Sequence, residues 1–415
     1  MRKSTPVWPR LLPRLPARPL PHLPAWPLPH LPLPHLPAWP LPHLPAWPLR
    51  QLPTLAGAAI SGNMRSHINV GLVMELGIFS FGDIHRNPVT GAQLTAAENT
   101  ADLLERARLA DQVGLHYVGI GEHHRPDYSV SAPAMVLAAI AAQTSNIHVG
   151  SAVTVLSTED PVRVFQQFAT LDLISGGRAE LTAGRGSFIE SYPLFGARLE
   201  DYDALYEEKI DLLLRLNRQE RITWRGNFRP DLDDALILPR PYNGELDIWI
   251  ATGGTPQSTV RAALLGRPVM YAILGGGLNN FERHVQLYRQ TAAEAGHDDG
   301  GLRVGTSTPG LILRKDAVDI YRPYWMDSMT RIASERGFPM PSEVTYRAQT
   351  APAGALFVGT PEQVAEKIVR MHGHMKHDRQ IFQLDFSSVP QKLVLESIEL
   401  LGTEVLPLVN RELAL

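Results

Sequence analysis

From Met74 onward, short apolar runs alternate with longer stretches whose apolar residues recur at helical spacing, and the alternation repeats eight times. "MELGIFSF" reads as a strand, and "LTAAENTADLLERARLADQVG" reads as a helix ending on Gly114, a residue suited to a left-handed cap. The later strands are "LHYVGIG", "IHVGSAVTVL", "RAELTAG", "DIWIAT", "PVMYAIL", "RVGTSTPGLIL" and "QIFQLDF". Between the second and third lies "SAPAMVLAAIAAQTS", so apolar that the helix it forms is expected to be buried. "DPVRVFQQFATLDLISGG" offers Asp160 as N-cap, Pro161 at the first helical position and glycines at the end.

Such alternation calls for parallel strands covered by helices, the α/β class, and eight units close into a (β/α)8 TIM barrel. A doubly wound sheet would place Gly-x-Gly-x-x-Gly straight after the first strand. "MELGIFSFGDIHRN" contains no such pattern. Two insertions depart from the ideal repeat. Residues 217–245 include "ITWRGNFRP", which reads as a small hairpin, and residues 315–355 or so separate the seventh strand from the last helix pair.

Residues 1–73 are different. "PLPHLPAW" occurs at 19–26, 32–39 and 40–47, with a shortened copy between. Proline this frequent removes backbone donors and forbids helix or central strand. The segment is therefore expected to be polyproline II or disordered, a low-complexity extension to a barrel domain over 74–415. His22, His30, His35 and His43 within it are too widely spaced to suggest a metal site. The prolines also interrupt any secretory h-region. Met64 and Met74 precede the first strand-like run and are alternative starts for translation.

A net charge of -3 and a pI near 6.6 give no electrostatic case for nucleic acid. Cysteine is absent, which removes disulfides, thiolate metal sites and a catalytic thiol, and fits a reducing cytoplasm. No apolar run approaches the ~20 residues of a membrane helix.

In a barrel of this kind, chemistry gathers at the C-terminal ends of the strands. Three segments fall there. "EHH" (Glu122, His123, His124) follows the second strand, "GRGS" (Arg185 to Ser187) the fourth, and "TGGTPQS" the fifth. Gly253 and Gly254 permit close backbone approach before a helix N-terminus, the makings of a phosphate cradle. A plain turn with Thr255 as N-cap is the competing reading. Arg185 could grip the same phosphate through two donors, or make a rim salt bridge. His123 and His124 are consecutive, so on extended chain they point to opposite sides. A shared metal is not expected from that spacing. Acid/base work, cofactor contact or a structural role remain open.

"VGIGEHH", "VGSAVTVLSTEDPVRVFQQFATLDLISGGRAELTAGRGS", "WIATGGTPQSTVRAALLG" and "FVGTPEQVAEKI" together resemble the bacterial luciferase-like flavin-dependent monooxygenases and oxidoreductases. The resemblance runs over about residues 74 to 410. It implies a barrel that binds FMN at its C-terminal rim. It places His123, flanked by Glu122 and His124, at the active-site histidine, and Arg185 at the FMN phosphate with Ser187 beside it. Thr252, Gly253, Gly254 and Thr255 fall on the phosphate loop, and Ala152 and Val153 on a non-proline cis peptide under the flavin ring. Luciferase itself has an acidic residue where this chain has Thr252. The implied reaction uses reduced FMN from a separate flavin reductase, O2 and a small organic substrate, in a homodimer, at a mouth that excludes water. Phe79, Phe81, Phe188 and Tyr192 suit that exclusion. The alternatives are hydride transfer with F420 and flavin binding without turnover.

Overall fold

The structure, a computed structural model, describes residues 74–186, 188–297 and 302–414. The expectations for the proline-rich segment and for Ser187 lie outside these residues. Eight strands run in the order expected: β1 (Glu75–Ser80), β2 (Tyr117–Ile120), β3 (His148–Ser151), β4 (Ala179–Gly184), β5 (Asp247–Thr252), β6 (Val269–Ala272), β7 (Val304–Ile312) and β8 (Arg379–Gln383). Each pairs in parallel with its neighbour, and β8 pairs with β1, so the sheet closes into a (β/α)8 barrel. The strands are buried on both faces, as helix-covered parallel strands must be.

Local chemistry sets the helix ends. Thr95 and Glu98 form a capping box at the first helix, α1 (Ala96–Gln112). Asp160 accepts from the amides of Val162 and Arg163 at α3 (Pro161–Ser175), and Gly176 closes that helix at φ 70°. Between them lies α2 (Pro133–Ala141), the apolar helix, whose Leu137 and Ile140 are fully buried.

The third strand departs from the expected single run of Ile147 to Leu156. It stops at Ser151, and a short continuation, Thr154–Val155, pairs with the end of β4. The peptide between Ala152 and Val153 is cis. Flanking glycines make room for this detour. A Cβ on Gly119 would stand 2.8 Å from the Ala152 Cβ, and one on Gly184 would stand 2.6 Å from a Val153 methyl.

Both insertions take form. After helix α4 (Tyr202–Arg218), Arg221–Trp224 and Leu232–Leu236 make the antiparallel hairpin. The second insertion contributes helices Ala317–Arg336 and Glu343–Thr350. An unforeseen strand of three residues, Phe357–Gly359, then pairs with the end of β7.

A buried charge cluster fills the N-terminal end of the barrel. Arg379, the first residue of β8, donates to both carboxylate oxygens of Glu180 and to Glu75. Its guanidinium lies 4.6 Å from the ring centres of Tyr117 and Trp249.

Candidate active site

Segments at the ends of several strands meet around one cavity of about 320 Å³, within the ordinary range for ligand pockets. Its wall includes Glu122, His123 and His124 after β2, Ala152 and Val153 after β3, Arg185 after β4, and Thr252, Gly253 and Thr255 after β5. Gly254 is not part of that wall. At φ 80° it turns the chain left-handed, and the ring of Phe281 packs against its outer side.

His123 sits among aromatic rings. Its imidazole lies 4.7 Å from Phe81, 4.4 Å from Tyr128 and 4.7 Å from Phe188, centre to centre. Nδ1 is 3.3 Å from Oε1 of Glu190. Burial opposes ionisation of Glu190, yet the hydrogen bond and charge of His123 hold its carboxyl below the ordinary value. His124 turns the other way, as extended geometry requires, and its ring meets Phe195. Its Nε2 lies 3.8 Å from Oε2 of Glu122, and burial pushes the imidazole pKa down. Glu122 is almost wholly buried and accepts the Val155 amide. Burial pushes its carboxyl up to about 7.

On the far wall, Arg185 pairs with the exposed carboxylate of Asp203 and lies 4.9 Å from the ring centre of Tyr202. An ion pair on so exposed a carboxylate is weak and replaceable. Thr255 caps helix α5 (Pro256–Leu264) by accepting the Ser258 amide, so the capping reading of this residue holds. The Thr252 hydroxyl contacts the Ser258 hydroxyl and accepts the Gly254 amide. Both threonines therefore shape the turn, while Gly253 borders the cavity with open space beside it.

Of the aromatic residues expected at the mouth, Phe79, Phe81 and Phe188 line the cavity. Tyr192 does not. It is fully buried behind the wall, stacked on Tyr202, with its hydroxyl donating to the Arg185 carbonyl. The sequence reading missed Glu190 and Tyr202 on the wall, whereas Ser258 lies within "TGGTPQS", Tyr128 in the "RPDYSVS" loop after His124, and Ile332 and Arg336 in the 315–355 insertion, stretches where the pocket is expected. Ser258 had a local signal, since it follows the N-cap by three residues, while Glu190 reaches His123 across 67 residues. Among the described residues, no group of three His, Asp or Glu side chains converges as a metal site would require.

The family model for luciferase-like monooxygenases matches residues 74–375. The chain belongs to this family. One relative of this luciferase-like chain is the N-acetyl-S-alkylcysteine monooxygenase of Bacillus subtilis, 24% identical over 75% of this chain and 94% of the relative. Two solved structures share the fold. The oxygenating constituent of 3,6-diketocamphane monooxygenase from Pseudomonas putida, in complex with FMN, has a TM-score of 0.66 at 19% identity, covering 81% of this chain and 98% of that one. An F420-dependent secondary alcohol dehydrogenase in complex with an F420-acetone adduct has a TM-score of 0.63 at 17% identity, covering 81% and 99%. Proteins of this fold thus include one solved with FMN and one with an F420 adduct, and no described helix is long and apolar enough to cross a membrane.

Proposed function

We propose that this chain is an FMN-dependent monooxygenase acting on a small organic substrate with O2. The observation that carries the reading is convergence. Arg185, the Gly253 turn and the α5 N-terminus border the same cavity as Ala152, Val153 and His123. These residues fit FMN. A phosphate can draw Arg185 from Asp203 into a bidentate grip and take up the positive end of α5. Ala152, Val153, Met270 and Ile381 give the ring an apolar seat, beside the cavity face of His123.

Reduced FMN, when bound, would supply the electrons that activate O2. The chain's own residues supply the setting. Phe81, Tyr128 and Phe188 around His123 keep water from the reacting centre. His123, oriented by Glu190 through Nδ1, is left with Nε2 to give or take a proton. In this reading a separate flavin reductase delivers the reduced cofactor in the cytoplasm, and the chain works as a homodimer.

The test is oxygen consumption by the full chain with a reductase supplying either reduced FMN or reduced F420. Uptake with reduced FMN, above a protein-free control and dependent on an added organic substrate, is expected. Substrate turnover with F420 alone, without oxygen uptake, would instead establish the hydride-transfer alternative.

A further inference from the structure

A second cavity, about 70 Å³, lies on the other side of Glu122. It is bounded by the first turn of α2 (Pro133, Ala134, Met135), by Thr154, and by Glu159. Met135 at its edge is 73% exposed, so the lining extends to the protein surface, and Glu122 is the one residue it shares with the lining of the main cavity. Its inner end is Glu122, which is also part of the main cavity wall. One buried carboxyl therefore faces both spaces.

The lining is suited to water. A 70 Å³ space of this kind has room for a few water molecules, provided polar groups are there to hold them. Thr154 Oγ1 is buried and has no hydrogen-bond partner within the protein. The Glu159 carboxyl stands at the wall, raised above its ordinary value by burial despite the Lys209 charge. The titratable groups facing Glu122 are His124 on its own segment and Glu159 from the segment before α3, with Asp160 and Lys209 beyond Glu159.

We propose that this side cavity is a proton entrance to the active site, in which Glu122 passes protons between water near Glu159 and His124 in the main cavity. The proton leaves a Glu122 oxygen for His124 Nε2, across 3.8 Å that a small side-chain rotation or one water spans. The carboxylate left behind takes a proton from water in the side cavity, and Glu159 resupplies that water from the surface. One proton moves inward and no electrons are transferred. The relay would let the main mouth stay closed to water during turnover, and so it rests on the monooxygenase reading. The passage itself does not.

The chain contains no cysteine, which gives a clean probe of the passage. In the flavin-free full-length protein, Thr154→Cys should react with methyl methanethiosulfonate far faster than global unfolding allows. Met135→Cys at the cavity edge serves as the exposed reference. Adding Ala134→Trp, which plugs the cavity, should slow labelling of the Thr154 thiol at least tenfold and leave Met135→Cys reactive when placed alone. Labelling at the unfolding rate, or labelling unaffected by the plug, overturns the passage. For the relay, Glu122→Gln keeps an acceptor for the Val155 amide but cannot release a proton. It should lose the limb of the pH–rate profile near pH 7 and slow turnover at least tenfold, with FMN affinity unchanged. An unaltered profile overturns the relay. Failure of the wild-type chain to bind FMN would sink the monooxygenase reading and leave the labelling result standing.

Discussion

His123→Ala is expected to lower turnover by roughly 10²–10⁴-fold, the usual contribution of a positioned proton-transfer group, while FMN still binds. The contacts of His123 explain the split. It touches Phe81, Tyr128, Phe188 and Glu190, and none of the groups around Arg185 and Gly253 that would hold the phosphate. His123→Gln should behave like the alanine variant, because it restores size and polarity without a titratable nitrogen. A flavin titration and a turnover assay on both variants check this. Equal losses in binding and turnover would mean that His123 builds the cavity and does not act in the chemistry.

The second large effect is on stability. Arg379→Met should destabilise the fold by about 3–5 kcal/mol, because removing one partner of a buried ion pair strands the other. Glu180, itself 1% exposed, would keep a charge with no guanidinium to meet it. His148, 2.8 Å from Glu180, compensates in part. The pH dependence has a definite sign. Burial alone would raise the Glu180 carboxyl, but Arg379 and His148 hold it well below the carboxylate range. In the wild type this stabilisation is full above the unfolded value, about 4.3, and is lost as pH falls through the depressed folded value. In Arg379→Met the same carboxyl would be raised, so its penalty would be full at neutral pH and fade in acid. Denaturant melts should therefore show the gap between wild type and variant widest near pH 7, narrowing as pH falls toward about 4.3 while the variant's penalty fades, and narrowing further below it as the wild type loses its stabilisation. A gap independent of pH would show that lost packing on Tyr117 and Trp249 dominates over charge.

What the sequence revealed was local. Alternating runs and helical spacing give the order of elements, because each depends on neighbours within a turn or two. Asp160 and Pro161 announce a helix start by the same local logic, and Thr255 does so at α5. The segments EHH, GRGS and TGGTPQS could be placed at one rim because the barrel itself dictates where strand ends go. The missed features are those made by closure. Arg379 meets Glu180 across 199 residues, and no spacing rule connects them. Tyr192 looked like a mouth residue from its place after the Arg185 segment, but the helical turn Ser191–Leu194 directs it inward. Phe357–Gly359 is too short to stand out as a strand and exists because the long β7 leaves a free edge at its end. The break in β3 sits at the cis Ala152–Val153 peptide that the family resemblance implied, but it follows from no residue in "SAVT" taken alone. The glycines across from it, Gly119 and Gly184, carry its steric requirement.

If FMN binds as proposed, Arg185 and the turn after β5 close on its one phosphate. The most direct measurement of that closure is equilibrium titration of oxidised and reduced FMN into the wild-type chain and into Arg185→Ala, with riboflavin as the ligand lacking phosphate. Arg185→Ala is expected to weaken FMN by about 1.5–3 kcal/mol, as for a hydrogen bond to a charged group, and to leave riboflavin affinity unchanged. Equal FMN affinity in the two proteins would contradict it.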